Sequence, residues 1–82
     1  MKTVEFNVRE NLVYDAKTAG ELVTYLSGVT SNVFIVAGNA RVNAKSIIGV
    51  ISLALKPNDK IAVSANGSGA DEAIEIVKKV LG

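Results

Sequence analysis

Val4, Phe6 and Val8 alternate with Thr3, Glu5, Asn7 and Arg9, the period-two pattern of a strand with one buried face. Glu10 to Asp15 breaks the alternation and reads as a loop. Ala19, Leu22, Val23 and Leu26 then recur at i, i+3, i+4 and i+7. That spacing predicts an amphipathic helix from about Ala16 to Ser27, with Gly28 placed to end it at positive φ. Asn32 to Ala37 reads as a second strand, and Gly38-Asn39 as a two-residue hairpin turn into a third, Ala40 to Val42. Ser46 ahead of Ile47-Ile48-Gly49-Val50-Ile51-Ser52-Leu53 predicts a serine-capped short helix with Gly49 as its weak point. Lys56-Pro57-Asn58-Asp59 is a turn, since proline presets φ at the second position and asparagine tolerates the third. Ile61, Val63 and Ala65 alternate with Ala62, Ser64 and Asn66 as a fourth strand. Gly67-Ser68-Gly69 then opens a last helix with Ala70, Ala73, Ile74, Val77 and Leu81 on one face. Asp71 and Glu72 in its first turn and Lys78 and Lys79 in its last complement the helix dipole.

The order βαββαβα, without repeat or linker, predicts one α+β domain over residues 1–82. The expected architecture is an open-faced sandwich, a four-stranded antiparallel sheet with three helices on one face. Val33, Ile35 and Ala37 should share the helix side of their strand, which leaves Phe34 and Val36 on the side facing water. Either the register is the opposite one, or a second subunit covers that face, so a homodimer is open at this point.

Composition narrows the chemistry. The 82 residues are 49% hydrophobic and 21% charged, which is globular and not disordered. There is no cysteine, hence no disulfide, thiolate nucleophile or sulfur-bound metal, and no histidine, hence none of the usual neutral-pH base or metal ligand. A net charge of +1 and four scattered aromatic residues, Phe6, Tyr14, Tyr25 and Phe34, argue against a nucleic-acid partner. Apolar runs are five residues or fewer and Met1-Lys2-Thr3-Val4-Glu5 has no signal-peptide core. The expectation is a soluble cytoplasmic domain without cofactor or metal and without a membrane partner. Gly67-Ser68-Gly69 is a weak match to a phosphate loop, because Glu72 stands where the third glycine would be. The carboxylates show no pairing suited to acid–base work.

The segment Val42-Asn43-Ala44-Lys45-Ser46-Ile47-Ile48-Gly49-Val50-Ile51-Ser52-Leu53, together with the order of elements, resembles HPr, the phosphocarrier family of the bacterial sugar phosphotransferase system. The resemblance runs along nearly the whole chain. It implies two phosphorylation sites: a histidine that relays phosphate from Enzyme I to sugar-specific components, and a serine modified by a regulatory kinase. Where the family reads Gly-[Ile/Leu]-His-Ala-Arg-Pro-Ala, this chain reads Leu12-Val13-Tyr14-Asp15-Ala16-Lys17-Thr18-Ala19. Asp15 therefore takes the histidine position, Lys17 the arginine position and Thr18 the proline position. Lysine keeps a positive charge but lacks the planar fork that matches a phosphate.

Each candidate residue has a plain structural explanation beside its functional one. Asp15 is a helix cap, or a stand-in for the phosphorylated residue, or an acyl-phosphate acceptor. Ser46 is a cap, and by the resemblance a phosphorylation site, where a helix N-terminus and Lys45 would stabilise added negative charge. A short helix that is apolar at 47, 48, 50, 51 and 53 cannot bury all of them against one sheet. Tyr14, Ile47, Ile48 and Ile51 would then form the greasy docking patch that the family uses, with Lys17 and Lys45 beside it; self-association or tighter packing is the alternative. The reading is a non-enzymatic HPr-like regulatory module that binds a phosphotransferase-system enzyme, a serine kinase or a transcription factor, switched at Ser46. Phosphotransfer through Asp15 and a repurposed structural scaffold are the alternatives.

Overall fold

The computed structural model describes all 82 residues, with β1 (Lys2–Asn7), α1 (Ala16–Leu26), β2 (Val33–Ala37), β3 (Ala40–Asn43), α2 (Ile47–Ser52), β4 (Lys60–Ala65) and α3 (Ala70–Leu81) in that order. The four strands form one sheet in the order β1-β4-β2-β3, and every neighbouring pair is antiparallel. No helix is long and apolar enough to cross a membrane.

The alternation seen in the sequence sets which face is buried. Val33 and Ile35 on β2 and Ile61, Val63 and Ala65 on β4 are fully covered, against Ala19, Leu22 and Leu26 of α1 and Ala73, Ile74, Val77 and Leu81 of α3. The two central strands thus supply the core, and the edge strands β1 and β3 only flank it, as expected for a sheet roofed on one side. The short helix α2 contributes a single buried residue, Val50, and that shortfall shapes the candidate site.

β1 ends at Asn7 rather than Arg9 because its partner strand stops at Lys60. Val8 then bonds into the Pro57 turn instead: its N–H donates to the Asp59 carbonyl (2.8 Å) and its carbonyl accepts from the Asn58 N–H (2.9 Å). That turn has the sequence-predicted chemistry, with Asn58 at φ 69° in its third position and the Lys56 carbonyl accepting from the Asp59 N–H at 3.1 Å. The hairpin turn has positive φ at Gly38 alone, at 59°, the arrangement of a type II′ turn.

One helix end differs from expectation, and another has a left-handed residue that the pattern did not indicate. α1 closes without a left-handed residue: Ser27 is right-handed helical and its N–H donates to the Thr24 and Val23 carbonyls, so Gly28 does not carry the positive φ assigned to it. The left-handed residue is Ala54, at φ 48° just past α2, where an alanine Cβ crowds the next carbonyl at a cost of roughly 1 kcal/mol. The added Cβ of an alanine at Gly28 would meet no atom within 4 Å. Gly28→Ala and Ala54→Gly are each expected to raise the unfolding free energy by about 0.5–1 kcal/mol, read from urea midpoints at unchanged m-value. A loss at either position would mean that its backbone is not as described.

The predicted faces of β2 are correct and the opposite register is excluded, since Val33 and Ile35 are buried while Phe34 and Val36 are half-buried on the outer side. The Arg41 guanidinium lies 4.1 Å from the centre of the Phe34 ring, an attractive contact that also shields the ring from water. A second subunit is not needed to account for these two side chains.

Candidate functional site

The site is built where the N-terminal end of α1 meets α2. Asp15 has extended backbone (φ −137°, ψ −177°) and its Oδ1 accepts from the Thr18 N–H at 2.9 Å, which makes it the helix cap. The Thr18 hydroxyl in turn donates to the Val13 carbonyl at 2.9 Å, closing the entry loop onto the first turn. The Thr18 backbone N–H bond first, then the Lys17 backbone N–H and the Lys17 charge, hold the exposed Asp15 carboxyl below its ordinary value. At neutral pH the site therefore presents a fixed carboxylate. The capping contribution is present above the usual carboxylate range and is lost as pH falls through the lowered value.

Tyr14 joins the two helices. Its hydroxyl donates to the Val50 carbonyl, and the ring is half-buried against the core. Expected as part of an exposed patch, it is instead a tie between the entry loop and α2. Burial raises its phenol from 10.0 to about 12. A phenol whose folded value is raised stabilises the fold fully below its unfolded value and loses that contribution as pH climbs through the folded one. In an ultraviolet titration one tyrosinate step is expected near pH 12, with unfolding setting in between pH 10 and 12, and Tyr14→Phe should remove that step. A Tyr14→Phe protein that still showed it would locate the late ionisation elsewhere.

Ser46 caps α2 as predicted: it is extended, and its Oγ accepts from the Gly49 N–H at 3.3 Å. That bond is long and Ser46 is exposed, so the hydroxyl is only lightly engaged. Gly49, which looked like a weak point, allows close approach, since a Cβ there would lie 3.3 Å from the Cβ of Val42 on β3. Lys45 does not stand free beside the serine, because its ammonium donates to the Val29 carbonyl. Lys17 is exposed at the start of α1.

The remaining apolar side chains of α2 are uncovered: Ile47 is 43% exposed, Ile48 78% and Ile51 44%. The sequence reading missed two further members. Val13, in the loop before α1, is 70% exposed; between buried Leu12 and half-buried Tyr14 it carried no signal that told it apart from them. Gly20 has no side chain between α1 and α2, and a Cβ there would sit 3.8 Å from the Ile47 Cδ1. Its signal was a glycine inside a helical pattern. The structure thus places Asp15 and Lys17 on one rim and Ile47, Ile48, Ile51 and Ser46 on the other, joined through Tyr14. No group of three or more acidic, histidine or cysteine side chains is placed to hold a metal ion.

Comparison with known proteins gives a consistent picture. The family described as "PTS HPr component phosphorylation site" matches residues 2–82. The phosphocarrier protein HPr of Mycoplasma capricolum is 35% identical over 66 residues, covering 80% of this chain and 74% of that protein. The HPr-like protein Crh of Bacillus subtilis is 35% identical over 72 residues, covering 88% of this chain and 82% of the relative. A crystal structure of a phosphocarrier protein HPr from Bacillus anthracis superposes with a TM-score of 0.84 at 30% identity, covering 98% of each chain.

Proposed function

Given that the chain belongs to the HPr family of the phosphotransferase system, whose members are phosphocarriers and not catalytic enzymes, we propose that this one works by protein contact rather than by relaying phosphate. The observation that carries the reading is the exposed apolar surface of Ile47, Ile48 and Ile51 beside the Asp15 carboxylate, in a chain with no imidazole. Apolar side chains left in water next to charged rim residues suit a surface that another protein covers. The partners proposed are phosphotransferase-system enzymes, a serine kinase or a transcription factor.

Ser46 is the proposed switch. A phosphoryl group there would add about −1.5 to −2 charges at the edge of the apolar surface. It would replace a long capping bond with stronger acceptors for the α2 amides, and would either pair with a partner's arginine or repel its carboxylates. The test is mass spectrometry after incubation with the serine kinase of a family member and ATP. One added phosphate is expected, stable to hydroxylamine and absent from Ser46→Ala. No gain in mass, or a gain that survives Ser46→Ala, would remove the switch.

A further inference from the structure

On the side of α1 that does not face α2, a cleft of about 580 Å³ runs between α1 and α3. Arg9 stands at one end, the exposed Glu21 and Tyr25 of α1 form one wall, and Ile76, Lys79 and Val80 of α3 form the other. Neither of the two ion pairs in the molecule involves Arg9. Its Nη1 donates to the Val80 carbonyl at 2.5 Å, which places a half-buried guanidinium at the C-terminal end of α3, a favourable position by itself. That contact uses one of five N–H groups in the fork. The others have no protein acceptor, and no carboxylate lies within 4 Å. Tyr25 is 56% exposed, an aromatic ring left in water at the lip of the same cleft.

A partly desolvated guanidinium with a free edge selects an oxyanion that can accept two parallel hydrogen bonds. Lys79 adds a second cation against the single charge of Glu21, so the cleft is net positive. The Ile76 and Val80 side chains and the Tyr25 ring supply an apolar wall of the kind that orients a small ligand. We propose that this cleft binds a small organic anion, a carboxylate or phosphate ester with a flat apolar body, its head on Arg9 and its body against Tyr25. The cleft adjoins the Asp15 cap only at Thr18, which lines it as well, and the proposal is independent of the reading of Ser46.

The test is nuclear magnetic resonance titration of the isotope-labelled protein with phenyl phosphate, benzoate and inorganic phosphate. Saturable shifts at the amides of Tyr25, Ile76 and Lys79 are expected for phenyl phosphate, benzoate or both, with a dissociation constant at or below about 5 mM. The tighter of the two identifies the head group. Arg9→Gln should weaken binding about tenfold, and Lys79→Gln, which alters only an exposed side chain, about threefold. Arg9→Lys should retain more than Arg9→Gln. Absence of saturable shifts up to 20 mM, on the order of four times that constant, would overturn the site. So would shifts untouched by both charge-removing variants, or inorganic phosphate binding as tightly as phenyl phosphate, since the apolar wall would then contribute nothing.

Discussion

Incubated with phosphoenolpyruvate and the Enzyme I of a family member, this protein is expected to take up less than about 1% of the label carried by a histidine-bearing relative. The expectation is chemical. A relay needs a nucleophile that accepts phosphate and releases it again, and imidazole does so near neutral pH. The chain has no histidine at any position. Asp15, which the family pattern puts in that place, is ionised and already accepts the Thr18 N–H at 2.9 Å as a helix cap. Forming an acyl phosphate on it would disturb the capping bond that its carboxylate accepts from the Thr18 N–H, and no cluster of carboxylates is placed to bring in a cation. Lys17 offers a single charged nitrogen in place of a planar fork. The measurement is radiolabel transfer followed by hydroxylamine treatment. Hydroxylamine-labile label that disappears in Asp15→Asn would establish Asp15 as a phosphate acceptor and end the reading of a non-relaying protein.

Leu22→Ala is expected to lower stability by about 3–4 kcal/mol. Leu22 is fully covered in the middle of α1, on the face that packs over the sheet. Removing it deletes the transfer free energy of three carbons and leaves a hole between helix and strands that tight packing does not let the structure fill. A domain of 82 residues has roughly 4–12 kcal/mol in total, so one such change consumes a large share of it. At about 4–8 °C per kcal/mol, the melting temperature should fall by roughly 12–30 °C. Ile51→Ala is the informative control: it is the same kind of truncation at a side chain 44% exposed on α2, expected to cost less than about 1 kcal/mol. Thermal melts of the two variants side by side check the ranking. Equal losses would mean that Ile51 is covered, and the docking surface would lose one of its three isoleucines.

The reading of α3 shows what a sequence conveys well. Ala73, Ile74, Val77 and Leu81 are the residues it buries, because helical spacing alone puts them on one face. β4 behaves likewise, with Ile61, Val63 and Ala65 inward and Lys60, Ala62 and Ser64 outward. The Pro57-Asn58 turn was legible because those residue types suit its φ values whatever surrounds them. Where a position offers two local solutions, the pattern could not choose. Gly28 was available as a left-handed terminator, yet α1 ends without one, while Ala54 accepts positive φ so that the chain can turn from α2 towards buried Leu55.

The candidate site was half legible. Asp15 and Ser46 were found as caps from their place before helical patterns, and the surplus of apolar residues on α2 showed that some must remain in water. Tyr14 and Lys45 were read as free because nothing nearby in sequence occupies them. Their acceptors, the Val50 and Val29 carbonyls, lie 36 and 16 residues away.

By itself the sequence determined the seven elements, the buried faces of β2, β4, α1 and α3, and the absence of imidazole. These follow from periodicity and from side-chain chemistry, both of which act within a few residues or within one side chain. Only the tertiary structure decided that α2 buries Val50 alone, that Tyr14 turns inward, and that Arg9 meets the end of α3 71 residues further on to floor a cleft. Those outcomes depend on the strand order β1-β4-β2-β3 and on how three helices share one face of that sheet. The physical reason is that such contacts are selected by the packing of the whole chain, for which no short stretch of residues carries a pattern.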